Sequence, residues 1–163
     1  MRVVILSTLA IAVAAFPTRP AEAQGANHAG GHGGDAIRCV SGRPEMAIIA
    51  CTAIVEDKSE DADNRAIALR NRASFYQQKG DFDRAIADYT TALKHPEPRG
   101  VKAKIYLNRG LTYFRKGDEV GALDDYGEAV ALDPKLASAY LNRATILMKR
   151  GDDDRAIADL DQA

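Results

Sequence analysis

The sequence predicts an all-α chain, a solenoid of stacked helix hairpins, on three observations. Three segments of like sequence follow one another: NRASFYQQKGDFDRAIADYTTAL from Asn71, NRGLTYFRKGDEVGALDDYGEAV from Asn108 and NRATILMKRGDDDRAIADLDQA from Asn142. Their Gly-Asp pairs begin at Gly80, Gly117 and Gly151, 37 and 34 residues apart, the period of a repeated supersecondary unit. On both sides of each pair the apolar and small residues fall at helical spacing, as Ala85, Tyr89 and Ala92 do after the first.

Each copy therefore reads as helix, turn, helix. The glycine closes the first helix, because a left-handed cap costs it nothing, and the following aspartate caps the second. Composition agrees: of 163 residues 46% are hydrophobic, enough for a real core. Lys+Arg number 22 against 23 Asp+Glu, a net charge of −1, which excludes a nucleic-acid binder working through bulk charge and a polybasic membrane binder. Two cysteines cannot build a disulfide-dense scaffold or a four-ligand zinc site.

Residues 1–23 read as a signal peptide: Arg2, an apolar run from Val3 to Phe16, then Ala21-Glu22-Ala23, with cleavage expected before Gln24. The run is shorter than the roughly 20 apolar residues that span a bilayer. The expected product is exported, periplasmic or secreted, where disulfides persist. Residues 24–36, a Gly/His-rich stretch, read as a flexible linker. His28 and His32 within it could touch a metal, but ordering a glycine tether is costly and no carboxylate or thiol cluster joins them, so no metal or cofactor is assigned. Residues 37–58 form a degenerate helical segment. There Ala47, Ile48, Cys51 and Thr52 match Ala85, Ile86, Tyr89 and Thr90 at a constant shift, as the second helix of a repeat whose first helix is missing. Cys39 and Cys51 are expected to form a disulfide worth roughly 2–3 kcal/mol. Free thiols, and last a redox pair, are the alternatives; there is no C-x-x-C motif.

The phased residues of 63–163 resemble the tetratricopeptide repeat. The small residues Ala73, Gly110 and Ala144 hold one of its places, Ala85, Ala122 and Ala156 a second, and Ala92, Ala129 and Ala163 a third. Tyr76, Tyr113 and Leu147, with Tyr89, Tyr126 and Leu160, hold its large-residue places, and Pro134 its terminal proline. Repeats run about 66–99, 103–136 and 137–163, the last incomplete. The resemblance implies close helix approach at the small residues and aromatic filling between hairpins. One departure stands out: Arg72, Arg109 and Arg143 occupy a place that is often leucine in the family. Asp88, Asp125 and Asp159 lie as far beyond each turn as these arginines lie before it, so Arg–Asp clips are expected within each hairpin or staggered by one repeat. The alternative is solvated surface charge worth under about 1 kcal/mol.

No nucleophile elbow, Walker loop or H-E-x-x-H motif is present, and His95 sits in a connection beside Pro96. The acidic clusters Asp81-Phe82-Asp83 and Asp152-Asp153-Asp154 fall at helix starts, where negative charge meets the helix dipole. The expected function is thus non-catalytic. The resemblance implies a concave groove lined by the first helices and able to take a peptide or helix. Carried over residue by residue, its lining includes Arg70, Asn71, Lys104, Leu107, Asn108, Leu111, Phe114, Arg115, Leu141, Asn142, Met148 and Lys149. Asn71, Asn108 and Asn142 would form a ladder of amides for an extended backbone, unless asparagine merely travels with the repeat. Four cations and several large apolar side chains point to an acidic partner with apolar anchors. Some members of the family grip a C-terminal carboxylate with a basic and asparagine clamp; Arg70 and Asn108 match two of its places, whereas Ser74, Ser138 and Asn142 depart from it. Two other functions compete: a self-assembly unit stacking through uncapped ends, and a thiol-redox or metal-handling protein using Cys39, Cys51, His28 and His32.

Overall fold

A computed structural model describes residues 38–163; the expected signal peptide and the linker with His28 and His32 lie outside the described residues. From residue 44 on, seven helices follow one another: α1 (Pro44–Glu56), α2 (Ala62–Gln78), α3 (Phe82–Ala92), α4 (Arg99–Lys116), α5 (Glu119–Leu132), α6 (Ala137–Lys149) and α7 (Asp153–Gln162). No strand occurs among the described residues, and none of their helices is long and apolar enough to cross a membrane. Helices α2 and α3 form hairpin 1, α4 and α5 hairpin 2, and α6 and α7 hairpin 3. Each hairpin packs on the next, and α4 touches α2 on one side and α6 on the other.

The turns do what the glycine-aspartate pairs require. Gly80, Gly117 and Gly151 have φ of 78°, 94° and 75°, a left-handed conformation that side chains rarely adopt. The N–H groups of Asp81, Asp118 and Asp152 then reach back to the carbonyls of Tyr76, Tyr113 and Leu147 at 2.9, 2.9 and 3.0 Å, closing each first helix. The Asp81 and Asp118 carboxylates go on to accept the N–H of Arg84 and Gly121, so one dipeptide ends one helix and starts the next.

Upstream, residues 38–40 are helical and lead through Gly42, φ 120°, into α1. The degenerate segment therefore has helical residues before its turn, where the sequence suggested a missing first helix. Gly42 stands in the same relation to Gly80 as Cys51 does to Tyr89, and like the turn glycines it has a positive φ. The Sγ atoms of Cys39 and Cys51 meet at 2.23 Å, with both residues buried against Ala50, Ile54 and Ala68.

Packing between hairpins depends on small residues facing rings. Ala73, Ala85, Ala122 and Ala144 are wholly buried, and Tyr89 and Tyr126 retain 1% exposure. A Cβ on Gly110 would lie 2.8 Å from Tyr126 Cε1 and 3.1 Å from Asp125 Cβ, so the helices cross where only hydrogen fits. Burial pushes the phenols of Tyr89 and Tyr126 up from their ordinary value.

The Arg–Asp clips form within each hairpin. Arg72 Nε and Nη2 donate to the two oxygens of Asp88 at 2.7 and 2.8 Å, and Arg109 meets Asp125 at 2.8 and 2.8 Å. Arg143 meets Asp159 at 2.8 and 2.6 Å. A planar guanidinium matches a carboxylate in this two-bond fork, which a lysine could not do. Burial pushes the Asp125 carboxyl up while its fork to Arg109 opposes that; with both oxygens accepting, the pair is ionised. Tyrosine rings flank the cations, Arg109 lying 5.4 Å from the Tyr106 centroid and Arg143 5.7 Å from that of Tyr140. Two of the arginines also use their third nitrogen. Arg72 Nη1 reaches Thr52 Oγ1 on α1 at 3.0 Å, and Arg109 Nη1 reaches Thr90 Oγ1 on α3 at 2.9 Å, so the clip ties hairpins 1 and 2 each to the helix before it.

Two tests follow. Gly110→Ala should lower stability by about 1–3 kcal/mol, because the methyl strikes the Tyr126 ring; an unchanged urea midpoint would contradict the helix crossing described. Arg109→Met and Asp125→Leu should each cost about 3–5 kcal/mol, whereas the two combined should regain most of that loss. Additive losses in that cycle would show that the two side chains do not act as a pair.

Candidate binding groove

Helices α2, α4 and α6 form one layer of the solenoid, and the residues expected to line a groove lie on it. The face of α4 carries Lys104, Leu107, Asn108, Leu111 and Arg115 at spacings of three, four, seven and eleven residues, so they form one stripe. Lys104 and Arg115 are exposed, and neither makes an ion pair among the described residues. Leu111 is half-buried between them. On α6, Leu141 and Met148 are 48% and 44% exposed, and Asn142 is half-buried.

Other members of the expected lining are already engaged. Arg70 stands 3.7 Å from Glu97, a residue of the connection between α3 and α4. Lys149 is paired with Glu119, which also accepts from Arg150 at 3.3 Å. The free cations of the stripe are therefore Lys104 and Arg115, half of the four that sequence suggested. The Asn71 amide is directed at Cys39 Sγ, 3.9 Å away, whereas those of Asn108 and Asn142 make no hydrogen bond among the described residues, leaving two rungs of the ladder open. Leu107 and Phe114 are half-buried, and both pack on the Ala122, Tyr126 and Ile146 cluster. Phe114 thus wedges hairpin 2 against hairpin 3, so its truncation acts on stability as well as on any ligand.

One feature of this layer had no signal in the repeat pattern. Gln77 Nε2 crosses from α2 to α4, donating to Thr112 Oγ1 at 2.9 Å and to the Asn108 carbonyl at 3.3 Å. The Thr112 hydroxyl donates in turn to that carbonyl at 2.7 Å. Gln77 therefore ties two hairpins together rather than facing a ligand. Among the described residues no group of three or more His, Cys, Asp or Glu is placed to hold a metal.

The repeated hairpins match known proteins. The family model for the tetratricopeptide repeat matches residues 70–137 and 122–163. Photosystem I assembly protein Ycf3 of Acaryochloris marina is 36% identical over 87 residues, 53% of this chain and 52% of that protein. The protein of the same name from Rippkaea orientalis is 33% identical over 63 residues, 39% of this chain and 36% of its own length. The chain thus spans about half, or less, of the length of these relatives. Among solved structures, the second TPR of Spaghetti (RPAP3) bound to the HSP90 peptide SRMEEVD is similar at 26% identity and a TM-score of 0.54, covering 60% of this chain and 87% of that one. The crystal structure of MamA shares the fold with a TM-score of 0.64 at 22% identity, over 73% of this chain and 66% of that one. With the phased hairpins, the left-handed turn glycines and the family match over more than half of its length, the chain belongs to the tetratricopeptide-repeat family.

Proposed function

We propose that this protein is an exported, non-catalytic interaction module whose α2–α4–α6 layer captures an extended acidic peptide segment carrying large apolar anchors. The single observation that carries the reading is the α4 stripe. Lys104 and Arg115 stand at its two ends without ion-pair partners, with Leu111 and the open Asn108 amide between them. Unpaired cations at the two ends of an apolar stripe attract an acidic segment and orient it, while apolar anchors provide residence time. The open amides of Asn108 and Asn142 suit an extended backbone, which offers them both donors and acceptors.

The similar RPAP3 domain supports this reading, since the peptide it is bound to, SRMEEVD, holds three acidic residues and a methionine. The relatives named as assembly proteins support a role in assembling a larger complex rather than in turnover. Helices present these side chains on elements already formed, which lowers the ordering cost of binding. Export and the Cys39–Cys51 disulfide belong to the same proposal, because an oxidising compartment keeps such a bond closed.

A second reading is self-association through α7, where Ile157 and Leu160 are 57% and 44% exposed; concentration-dependent size in light scattering would reveal it.

For the groove, fluorescence anisotropy with labelled SRMEEVD tests the reading. Lys104→Glu and Arg115→Glu should each weaken binding on the order of tenfold, chiefly through slower association, with unchanged melting temperatures. Unaltered rates in both variants, or no binding by the parent protein at millimolar concentration, would defeat the acidic-segment assignment. For export, mass spectrometry of protein recovered from the cell envelope should find a chain starting at Gln24. Its mass should gain two alkyl groups after reductant and alkylator, and none after alkylator alone. A chain retaining residues 1–23, or one alkylated without reduction, would contradict this part of the proposal.

A further inference from the structure

Three hairpins carry the same clip, yet only two clips reach the preceding helix. Thr52 and Thr90 accept the third nitrogen of Arg72 and Arg109, and the residue that holds their place before Arg143 is Gly127. Nothing fills the gap: the one atom outside the local backbone that a Cβ on Gly127 would meet within 4 Å is Arg143 Nη1, at 3.9 Å. Arg143 Nη1 makes no hydrogen bond among the described residues. A cleft of about 380 Å³ opens here, with Leu123, Gly127 and Arg143 in its walls. The second polar tie is missing as well. Gln77 joins α2 to α4, but Phe114, which holds the equivalent place on α4, offers α6 apolar contact alone.

The polar contacts that remain between hairpins 2 and 3 are the ion pairs of Glu119 with Lys149 and Arg150, with Lys149 67% exposed and Arg150 39%. Exposed pairs of this kind contribute little and weaken with salt. The rest is burial of Leu107, Phe114 and Leu123 against Ile146, Ala144 and Leu147, and of Tyr106, Ala129 and Val130 against Ala139 and Tyr140, which is attractive but non-directional. Hydrogen bonds of fixed geometry are what would hold one hairpin at one angle to the next.

We infer that the junction between hairpins 2 and 3 is a joint: hairpin 3 opens from the remainder as a unit, while hairpins 1 and 2 stay locked together through Arg109–Thr90 and Gln77–Thr112. Because Leu141 and Asn142 ride on α6, movement at this joint changes the width of the groove between α4 and α6. The inference concerns the ligand-free protein and holds whether or not the groove binds peptide.

Hydrogen exchange measured by mass spectrometry tests it, with three variants at one site. Gly127→Ala controls for helix propensity, Gly127→Val supplies the shape of threonine, and Gly127→Thr adds the hydroxyl within reach of Arg143. In the parent protein the amides of Ala144–Leu147 in α6 should exchange through an opening that leaves α2–α5 protected. Gly127→Thr should slow that exchange about tenfold relative to Gly127→Val, the effect of one hydrogen bond to a charged group. Thr90→Val should conversely speed exchange in α4. Equal rates in the threonine and valine variants would overturn the inference, and so would α6 exchanging only together with α4 in global unfolding.

Discussion

Everything in this solenoid depends on burying an arginine against an aspartate at the same height in each hairpin. Asp88, Asp125 and Asp159 sit on the second helices with at most 7% of their surface exposed, a position no carboxylate can hold unpaired without a large desolvation cost. The two-bond fork offsets that cost, and it also fixes one helix against the other in both height and rotation. A leucine in place of the arginine would bring comparable burial without specifying the angle. The clip thereby sets which faces of α2, α4 and α6 remain on the open side of the layer, and so which residues a partner can meet.

The chemistry left over on that side follows from what the fold consumes. Gln77 and Thr112 are spent on joining hairpins, Arg70 on Glu97, and Lys149 on Glu119. What remains unpaired is concentrated on α4 and the adjoining face of α6: Lys104, Asn108, Leu111 and Arg115 with Leu141 and Asn142. The central helix has neighbours on both sides, so its stripe is presented on the best-supported element of the layer. That placement suits recognition, because a site held by packed neighbours loses little freedom when it binds.

Most of the architecture was legible in the sequence because a repeat states its own phase three times. The turn glycines and the small residues at Ala73, Gly110 and Ala144 recur in register, so position alone assigned them to turn and crossing; the Arg–Asp residues recur too, but position left open pairing within a hairpin, across repeats, or none. The sequence was silent where a feature falls outside the period. Glu97 lies in a connection carrying extra residues, so nothing in the repeat foretold that it would pair with Arg70. The Thr52, Thr90 and Gly127 series was visible as letters, but its meaning required knowing where each arginine's third nitrogen points. Gly42 was findable by extending to the left the shift that matches Cys51 with Tyr89. Phe114 was assigned to the groove by the family pattern, and its contact with the Ile146 cluster shows why one place can serve two surfaces.

The central claim is that the chemistry left unpaired by the clips and the inter-hairpin ties forms the recognition surface. Titrating isotopically labelled protein with SRMEEVD, and following both backbone and side-chain amides by nuclear magnetic resonance, tests it most directly. The side-chain amides of Asn108 and Asn142 and the backbone of α4 and α6 around Leu111 and Leu141 should shift, while Gln77 and the outer face of α3 and α5 stay unmoved. Shifts confined to the outer helices, or to the exposed end of α7 around Ile157 and Leu160, would contradict the account.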